Sequence, residues 1–337
     1  MRLTRSPMEL TLRETWTIAR NSSTRKTNVL VRLEDGGIDG LGEAAPNVRY
    51  GEDWRSVVAA IDAVSPLLEP GAAPYGEIID RVAAAAPQAP AARAAIDMAL
   101  HDLAGRREGV PVWRLLGADP ARMPVTSFSI GIDTPAAMQA KARAAASFDV
   151  LKIKAGLGDD RGRIEAIRAV TDRPLIVDAN EGWKEPAAAL EMIRWLAGIG
   201  VRLVEQPLPA ADREGARWLR ERSPLPLFAD EAVLAEADLE ALPGAYDGVN
   251  IKLQKAGGLR AARRMIERAR GLGLQVMLGC MIESSLGITA AAHLAPLCDH
   301  ADLDGHLLLD GDPFRGAGLE GSRLVLGDGP GLGVAAR

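Results

Sequence analysis

Five short apolar runs each close on a charged residue: LKIK on Lys154, LIVD on Asp178, LVE on Glu205, LFAD on Asp230 and VNIK on Lys252. The charges are 24, 27, 25 and 22 residues apart, about what one strand, one helix and two short loops consume. Asp178, Glu205 and Asp230 offer three hard oxygen donors from consecutive runs, the ligand chemistry of a divalent cation of the Mg²⁺ type. Any one of them alone reads as a helix cap or half of a salt bridge. The series points to a metal, because three packed carboxylates without a cation repel and must take up protons. Asn180 and Glu231 stand beside the ligands as their hydrogen-bond partners.

Lys152 and Lys154 are two apart, so in a strand both side chains face the same way. Crowding two ammonium groups lowers the pKa of one, and a neutral amine is what a general base must be. Lys252, four strands further round a closed ring, would approach from the opposite wall. Snorkelling or salt-bridged lysines are the alternative reading. Lys255, on the loop that follows, reads as solvent-facing. Asp302 and Asp304, in ADLDG, share one strand face and suit a cationic ligand group such as a free α-ammonium, or else cap the turn at Gly305. His293, His300 and His306 show no ligand spacing with the acids. Cys280, in LGCMIESS, has no partner base and reads as packed.

These residues need elements that aim them at one point. Strands are expected near 125–130, 149–154, 174–178, 201–205, 226–230, 247–252, 274–279 and 300–304. Helices fit between them near 134–147, 160–171, 185–199, 210–222, 233–242, 257–271 and 285–297. Eight strand–helix units make an α/β fold, a (β/α)₈ barrel, whose chemistry sits at the C-terminal strand ends. All five charges lie there. Residues 1–60 read instead as a small antiparallel sheet with a hairpin turn at Asp35-Gly36-Gly37, and residues 19–26 as a polar loop carrying Arg20, Arg25 and Lys26. The stretch from Asp53 to about Leu116 is Ala-rich and helical, broken at Pro70-Gly71 and at 87–90. Within it 92–105 is one amphipathic helix whose Asp97, His101 and Asp102 read as surface or capping groups. The division expected is 1–120 as an α+β capping domain, 121–310 as the catalytic barrel, and 311–337 as a Gly-rich tail folding back on the capping domain.

The 337 residues are 47% hydrophobic and 25% charged with a net charge of −5, the make-up of a soluble globular protein. Charges of both signs are interspersed, so neither a nucleic-acid stripe nor a membrane anchor is expected, and a cytoplasmic enzyme is the default. Cys280 and Cys298 suit a reducing compartment. A homo-oligomer is left open.

Taken together, Lys-x-Lys at 152–154, Asp-Ala-Asn at 178–180, Glu-Gln-Pro at 205–207, Ala-Asp-Glu at 229–231 and Asn-Ile-Lys-Leu at 250–253 resemble the muconate lactonizing subgroup of the enolase superfamily. GLGEAAP and RYGED look like its capping domain, so the likeness covers nearly the whole chain. GCMIESSLGI and ADLDG are similar to the dipeptide epimerases, typified by the L-Ala-D/L-Glu epimerases. The resemblance implies an enolase-like barrel with its cap, and one Mg²⁺ on Asp178, Glu205 and Asp230. It implies Lys154 and Lys252 as the two bases of a 1,1-proton transfer through an enediolate, with Lys152 tuning Lys154. It also implies a small dipeptide as substrate, its ammonium held by Asp302 and Asp304, with Met281 and Glu283 on the substrate side. In the glutamate-specific members a loop arginine pairs with the substrate's side-chain carboxylate. Here Arg25 is displaced from that position, with Arg20 and Lys26 nearby, which slightly favours an uncharged or apolar second residue. An N-acylamino acid racemase, an o-succinylbenzoate synthase or a cycloisomerase would use the same lysines and metal. A metal-free Schiff-base aldolase and a non-catalytic binding barrel are the readings from other classes.

Overall fold

Alternation builds the first body. In the computed structural model, which describes residues 1–68 and 74–337, three antiparallel strands run in the order β1 (Arg2–Thr17), β2 (Ser22–Asp35), β3 (Ile38–Ala44). Val29, Val31 and Leu33 of β2 are fully buried, whereas Arg32 between them is exposed, the period-2 pattern of a sheet with one wet face. β1 and β2 reach further than expected. The segment read as a polar loop shrinks to 18–21, and Arg25 and Lys26 belong to β2. Their pairing breaks between Thr11 and Trp16, and the freed stretch meets the barrel, where Leu12 bridges Leu309 and Arg13 Nε donates to Leu309 O at 2.7 Å.

Helices α1 (Trp54–Val64) and α3 (Pro90–Glu108) pack on the sheet, and α2 (Tyr75–Ala85) packs against α3. The break expected at Pro70-Gly71 lies outside the described residues. Small residues let α3 approach β3 backbone to backbone: a Cβ on Gly42 would stand 1.9 Å from Ala95 O. The polar groups of α3 differ from expectation, for Asp97 and Asp102 are buried. Asp97 does cap a helix, but a barrel one, Leu259–Gly271, accepting from Leu259 N at 2.6 Å. Asp102 accepts from Leu41 N at 2.9 Å and Leu332 N at 2.8 Å, so one carboxylate ties together α3, β3 and the tail.

The second body is an eight-stranded parallel sheet in sequence order: β4 (Phe128–Ile130), β5 (Leu151–Lys154), β6 (Leu175–Asp178), β7 (Val201–Glu205), β8 (Leu227–Ala229), β9 (Gly248–Lys252), β10 (Gln275–Gly279) and β11 (His300–Asp302). A bridge from Thr126 to Ala301 brings the last strand back to the first and closes the barrel. Inward parity repeats from strand to strand. Ile176, Leu203, Phe228 and Met277 form the barrel floor, and the charged residues stand two positions above three of them. Gly248 has no side chain because the Phe228 ring fills its place; a Cβ there would lie 2.5 Å from the ring. Burying such a ring contributes roughly 1.5–3 kcal/mol.

Helices occupy the expected gaps except near 233–242, where a 3₁₀ turn, Glu236–Ala241, replaces an α-helix. Pro243-Gly244 stops it early, and Asp238 turns back to accept from Leu234 N and Ala235 N, both at 2.9 Å. The tail divides its contacts. Phe314, Leu324, Leu332 and Val334 join the barrel's outer core, while Gly331 and Leu332 bond to Val110, Val112 and Asp102 of the capping side. Among the described residues no helix is long and apolar enough to cross a membrane.

Candidate active site

Strand register places the chemistry. Lys154 pairs with Asp178 and Asp178 with Glu205, while Gly279 pairs with Lys252 on one side and Asp302 on the other. Asp178, Glu205 and Asp230 are buried, and each offers an oxygen within 4.8 Å of the others'. Neighbours orient them. Asp178 Oδ1 accepts from Asn180 N at 2.9 Å, and Asn250 Nδ2 donates to Glu205 Oε1 at 2.9 Å. Gln206 Oε1 accepts from Asp230 N at 2.9 Å and Ala232 N at 3.1 Å, fixing the loop that carries Asp230. Glu205 Oε2 faces the Lys152 ammonium at 2.8 Å, yet burial together with the Asp178 charge pushes the carboxyl up to about 7. Three buried hard donors within 4.8 Å of one another, whose crowded charges favour a cation between them, fit a divalent ion.

The lysines surround these acids. Burial opposes the charge on Lys152, but Asp302, Glu205 and Asp178 outweigh it and hold the ammonium well above the ordinary lysine range. Its Nζ lies 2.6 Å from Asp302, 2.8 Å from Glu205 and 3.3 Å from Asp178. Lys154 Nζ donates to Asp178 Oδ2 at 2.7 Å, and Lys252 Nζ to Asp230 Oδ2 at 2.8 Å. Lys252 is likewise raised: burial pulls it down, and the charges of Asp230 and Glu205 overcome that. Lys255 is not solvent-facing as expected. It is buried and donates to Asp230 Oδ1 and Asp230 O at 2.6 Å each, because the short helix Leu253–Ala256 turns it back under the strand end.

Asp302 and Asp304 are both buried but not equivalent. Asp302 accepts from Lys152 Nζ and, at 2.6 Å, from Ser127 Oγ, because only β4 separates β11 from β5. Asp304 lies just past the strand and accepts from Ser129 N at 2.5 Å. It has no ion pair within 4.0 Å among the described residues, and burial with the Asp302 charge pushes it up to about 7. Ser127 and Ser129, inward by parity in TSFSI, are partners that the sequence reading passed over.

The capping body closes the cavity, of about 110 Å³, with Trp16, Ile18, Arg20, Lys26, Asn28, Asn47 and Tyr50, over Lys154, Lys252, Asp304 and Met281. Arg25 is not among its lining residues. It is exposed on β2 opposite Thr11, and its neighbour Lys26, on the other face of the strand, lines the cavity instead. Every other cation lining the cavity has an acid partner: Arg20 Nη1 lies 2.7 Å from Glu231 Oε1, and the two lysines are paired as above. No acid lies within 4.0 Å of Lys26 among the described residues, and burial lowers its pKa. Asn180 Nδ2 donates to Glu231 Oε1 at 3.2 Å, so both stand beside the acids. Glu283 is buried behind the cavity wall, accepting from Met281 N at 2.8 Å. Glu181, unnoticed in the sequence, gathers Arg49 (3.0 Å) and Arg20 (3.2 Å) from two capping loops. It and Asn180 hold left-handed φ of 67° and 43°, strained for non-glycine residues.

Residues 3–117 match the family described as mandelate racemase / muconate lactonizing enzyme, N-terminal domain, and residues 136–337 the one described as enolase C-terminal domain-like. The chain is 42% identical over 337 residues to a Bacteroides thetaiotaomicron protein named L-Ala-D/L-Glu epimerase, covering 99% of this chain and 88% of that one. The substrate-liganded L-Ala-D/L-Glu epimerase of Bacillus subtilis is similar with a TM-score of 0.95 at 34% identity, covering 100% of this chain and 98% of that one. The dipeptide epimerase of Enterococcus faecalis V583, complexed with Mg and L-Leu-L-Tyr, is similar with a TM-score of 0.93 at 34% identity, covering 99% and 98%.

Proposed function

Because the chain belongs to the mandelate racemase / muconate lactonizing enzyme family of the enolase superfamily, we propose that it is a metal-dependent dipeptide epimerase, inverting the α-carbon of the second residue of an L-Ala-Xaa-type dipeptide. One observation carries this reading. A buried three-carboxylate cluster is contacted from one strand by Lys154 and from another, four strands round the barrel, by Lys252. A metal bound to Asp178, Glu205 and Asp230, Mg²⁺ by analogy with the E. faecalis complex, would stabilise negative charge on the substrate carboxylate and loosen the acids' hold on the lysines.

The chain's own residues do the rest. Lys154 Nζ removes the α-proton from one face and Lys252 Nζ supplies one from the other, the roles exchanging for the opposite epimer. Lys152 keeps its charge between Asp302 and the cluster. Lys255, Gln206 and Asn250 hold Asp230 and Glu205 in place before substrate arrives, which is where much of the catalytic advantage of such sites lies. Asp304, without a cation of its own, takes the dipeptide ammonium. Lys26, without an acid of its own, takes an anionic side chain on the second residue, which shifts the preference toward glutamate.

Isotope exchange tests the two-base assignment. In D₂O, Lys154→Ala should still wash out the α-proton of one epimer, and Lys252→Ala that of the other, with neither variant epimerising. Either variant epimerising both isomers at near parental rate would overturn it.

A further inference from the structure

The wall of the substrate cavity is cross-braced by a carboxylate that belongs to neither the metal cluster nor the substrate contacts. Glu43 is the penultimate residue of β3, is fully buried, and is surrounded by donors. Its Oε1 accepts from Asn28 Nδ2 at 2.7 Å and Ser284 N at 3.0 Å. Its Oε2 accepts from Ser284 Oγ at 2.5 Å and Gly287 N at 3.1 Å. Ser284 and Gly287 open the barrel helix Ser285–Ala292, whose first N–H groups have no partner within the helix. A residue of the cap thus closes a helix of the barrel.

The bracing continues on both sides. Asn28 Nδ2 also donates to Ile282 O at 3.0 Å. Gln254, two residues beyond Lys252, donates to Glu43 O at 3.1 Å and to Glu283 Oε2 at 2.8 Å, and accepts from Ala45 N at 2.9 Å. Glu283 in turn holds Met281 N. The cavity-lining residues Asn28 and Ala45 from the cap and Met281 and Ile282 from the barrel all hang from this frame. None of its bonds reaches Asp178, Glu205 or Asp230.

We propose that Glu43 is a positioning residue of the active site: its carboxylate locks the end of β3 and the loop 280–284 into one wall, so that dipeptide fit depends on it and metal binding does not. The proposal rests on the epimerase reading. A carboxylate is required because all four facing groups are donors, and an amide would turn one acceptor into a donor pointing at another N–H.

The test is Glu43→Gln in the full chain, with KM and kcat measured on a dipeptide the parent epimerises, Mn²⁺ affinity by calorimetry, and folding by circular dichroism. KM should rise about 10- to 100-fold, the cost of an unsatisfied buried group, with Mn²⁺ affinity within about twofold of the parent, a split that general loosening would not produce. KM within twofold of the parent, or KM and the Mn²⁺ dissociation constant rising together, would overturn it. If Glu43→Gln does not fold, Ser284→Ala removes one donor to Glu43, along with the cap on Leu286 N, and should raise KM about 3- to 10-fold; an unchanged KM there overturns the proposal too. A parent inert toward every dipeptide would instead overturn the epimerase reading, and this role with it.

Discussion

Lys26→Met is the most informative single change, because it separates specificity from chemistry. Lys26 is half-buried, lines the cavity and has no acid within 4.0 Å among the described residues. Burial lowers its pKa because no acid offsets the desolvation of its ammonium, and an arriving anion would supply that offset. At an effective dielectric of about 20, a carboxylate about 4 Å away gains roughly 4 kcal/mol before either group's desolvation is subtracted. A net gain of about 1.5–3 kcal/mol, typical of a hydrogen bond to a charged group, remains. That is roughly 10- to 150-fold in relative kcat/KM. The assay compares L-Ala-L-Glu with L-Ala-L-Gln, matched in shape and different in charge. In Lys26→Met the Glu/Gln ratio should fall by that factor while the Gln substrate is turned over as before. The acidic preference should also fade as pH rises through the depressed lysine pKa, at lower pH than an ordinary lysine would allow. Arg25→Ala, on the outer strand face, should leave the ratio alone. A ratio unmoved by Lys26→Met, or moved equally by Arg25→Ala, would refute the reasoning.

Chelation should abolish turnover and Mg²⁺ restore it, and Asp230→Asn should lower activity by orders of magnitude without unfolding the chain; undiminished turnover after exhaustive chelation would remove the metal site from the mechanism. N-acetylating the substrate should cost about 10- to 150-fold in kcat/KM, with Asp304→Asn narrowing the gap more than Asp302→Asn, whose position already faces Lys152. A better turnover of the acetylated compound would make the enzyme an N-acylamino acid racemase. Glu52, 5% exposed and accepting from Ala91 N, is pushed by burial from 4.5 up to about 7. Its protonated form is the one the fold favours. That contribution is full below about pH 4.5 and lost as pH rises through about 7, a decline of at most ~3 kcal/mol that denaturant titrations should find missing in Glu52→Gln.

Much of the barrel was legible because its signal is local. A strand end every 22 to 27 residues, with an acid or a lysine at each, sets both the repeat and the inward parity. What escaped depends on contacts distant in sequence. Lys255 reads as solvated until Asp230, 25 residues away, is seen to accept from it. Arg25 faces away from the cavity and Lys26 lines it because β2 begins at Ser22, and in a strand a one-residue difference reverses the face. Asp302 looked like a ligand for substrate alone, but barrel closure sets it against Lys152, 150 residues earlier. Asp97 does cap a helix, though one more than 160 residues downstream. Gln206 and Asn250 lie within motifs already noted, and parity alone would have turned Asn250 toward the acids.

The cavity is shared between two bodies that contribute different things. The barrel supplies the acids and the lysines, and the first fifty residues supply Trp16, Lys26, Asn28, Asn47 and Tyr50. On the proposed reading, substitutions at those cavity-lining residues should redirect substrate choice while leaving proton transfer intact, whereas substitutions at the strand ends should change both together. A library confined to cavity-lining positions 16, 26 and 47, none of which touches the acid cluster, should explore new dipeptides against a constant catalytic background. Descendants of one ancestral enzyme could diverge in diet by the same route, each keeping the engine and exchanging only the mouth.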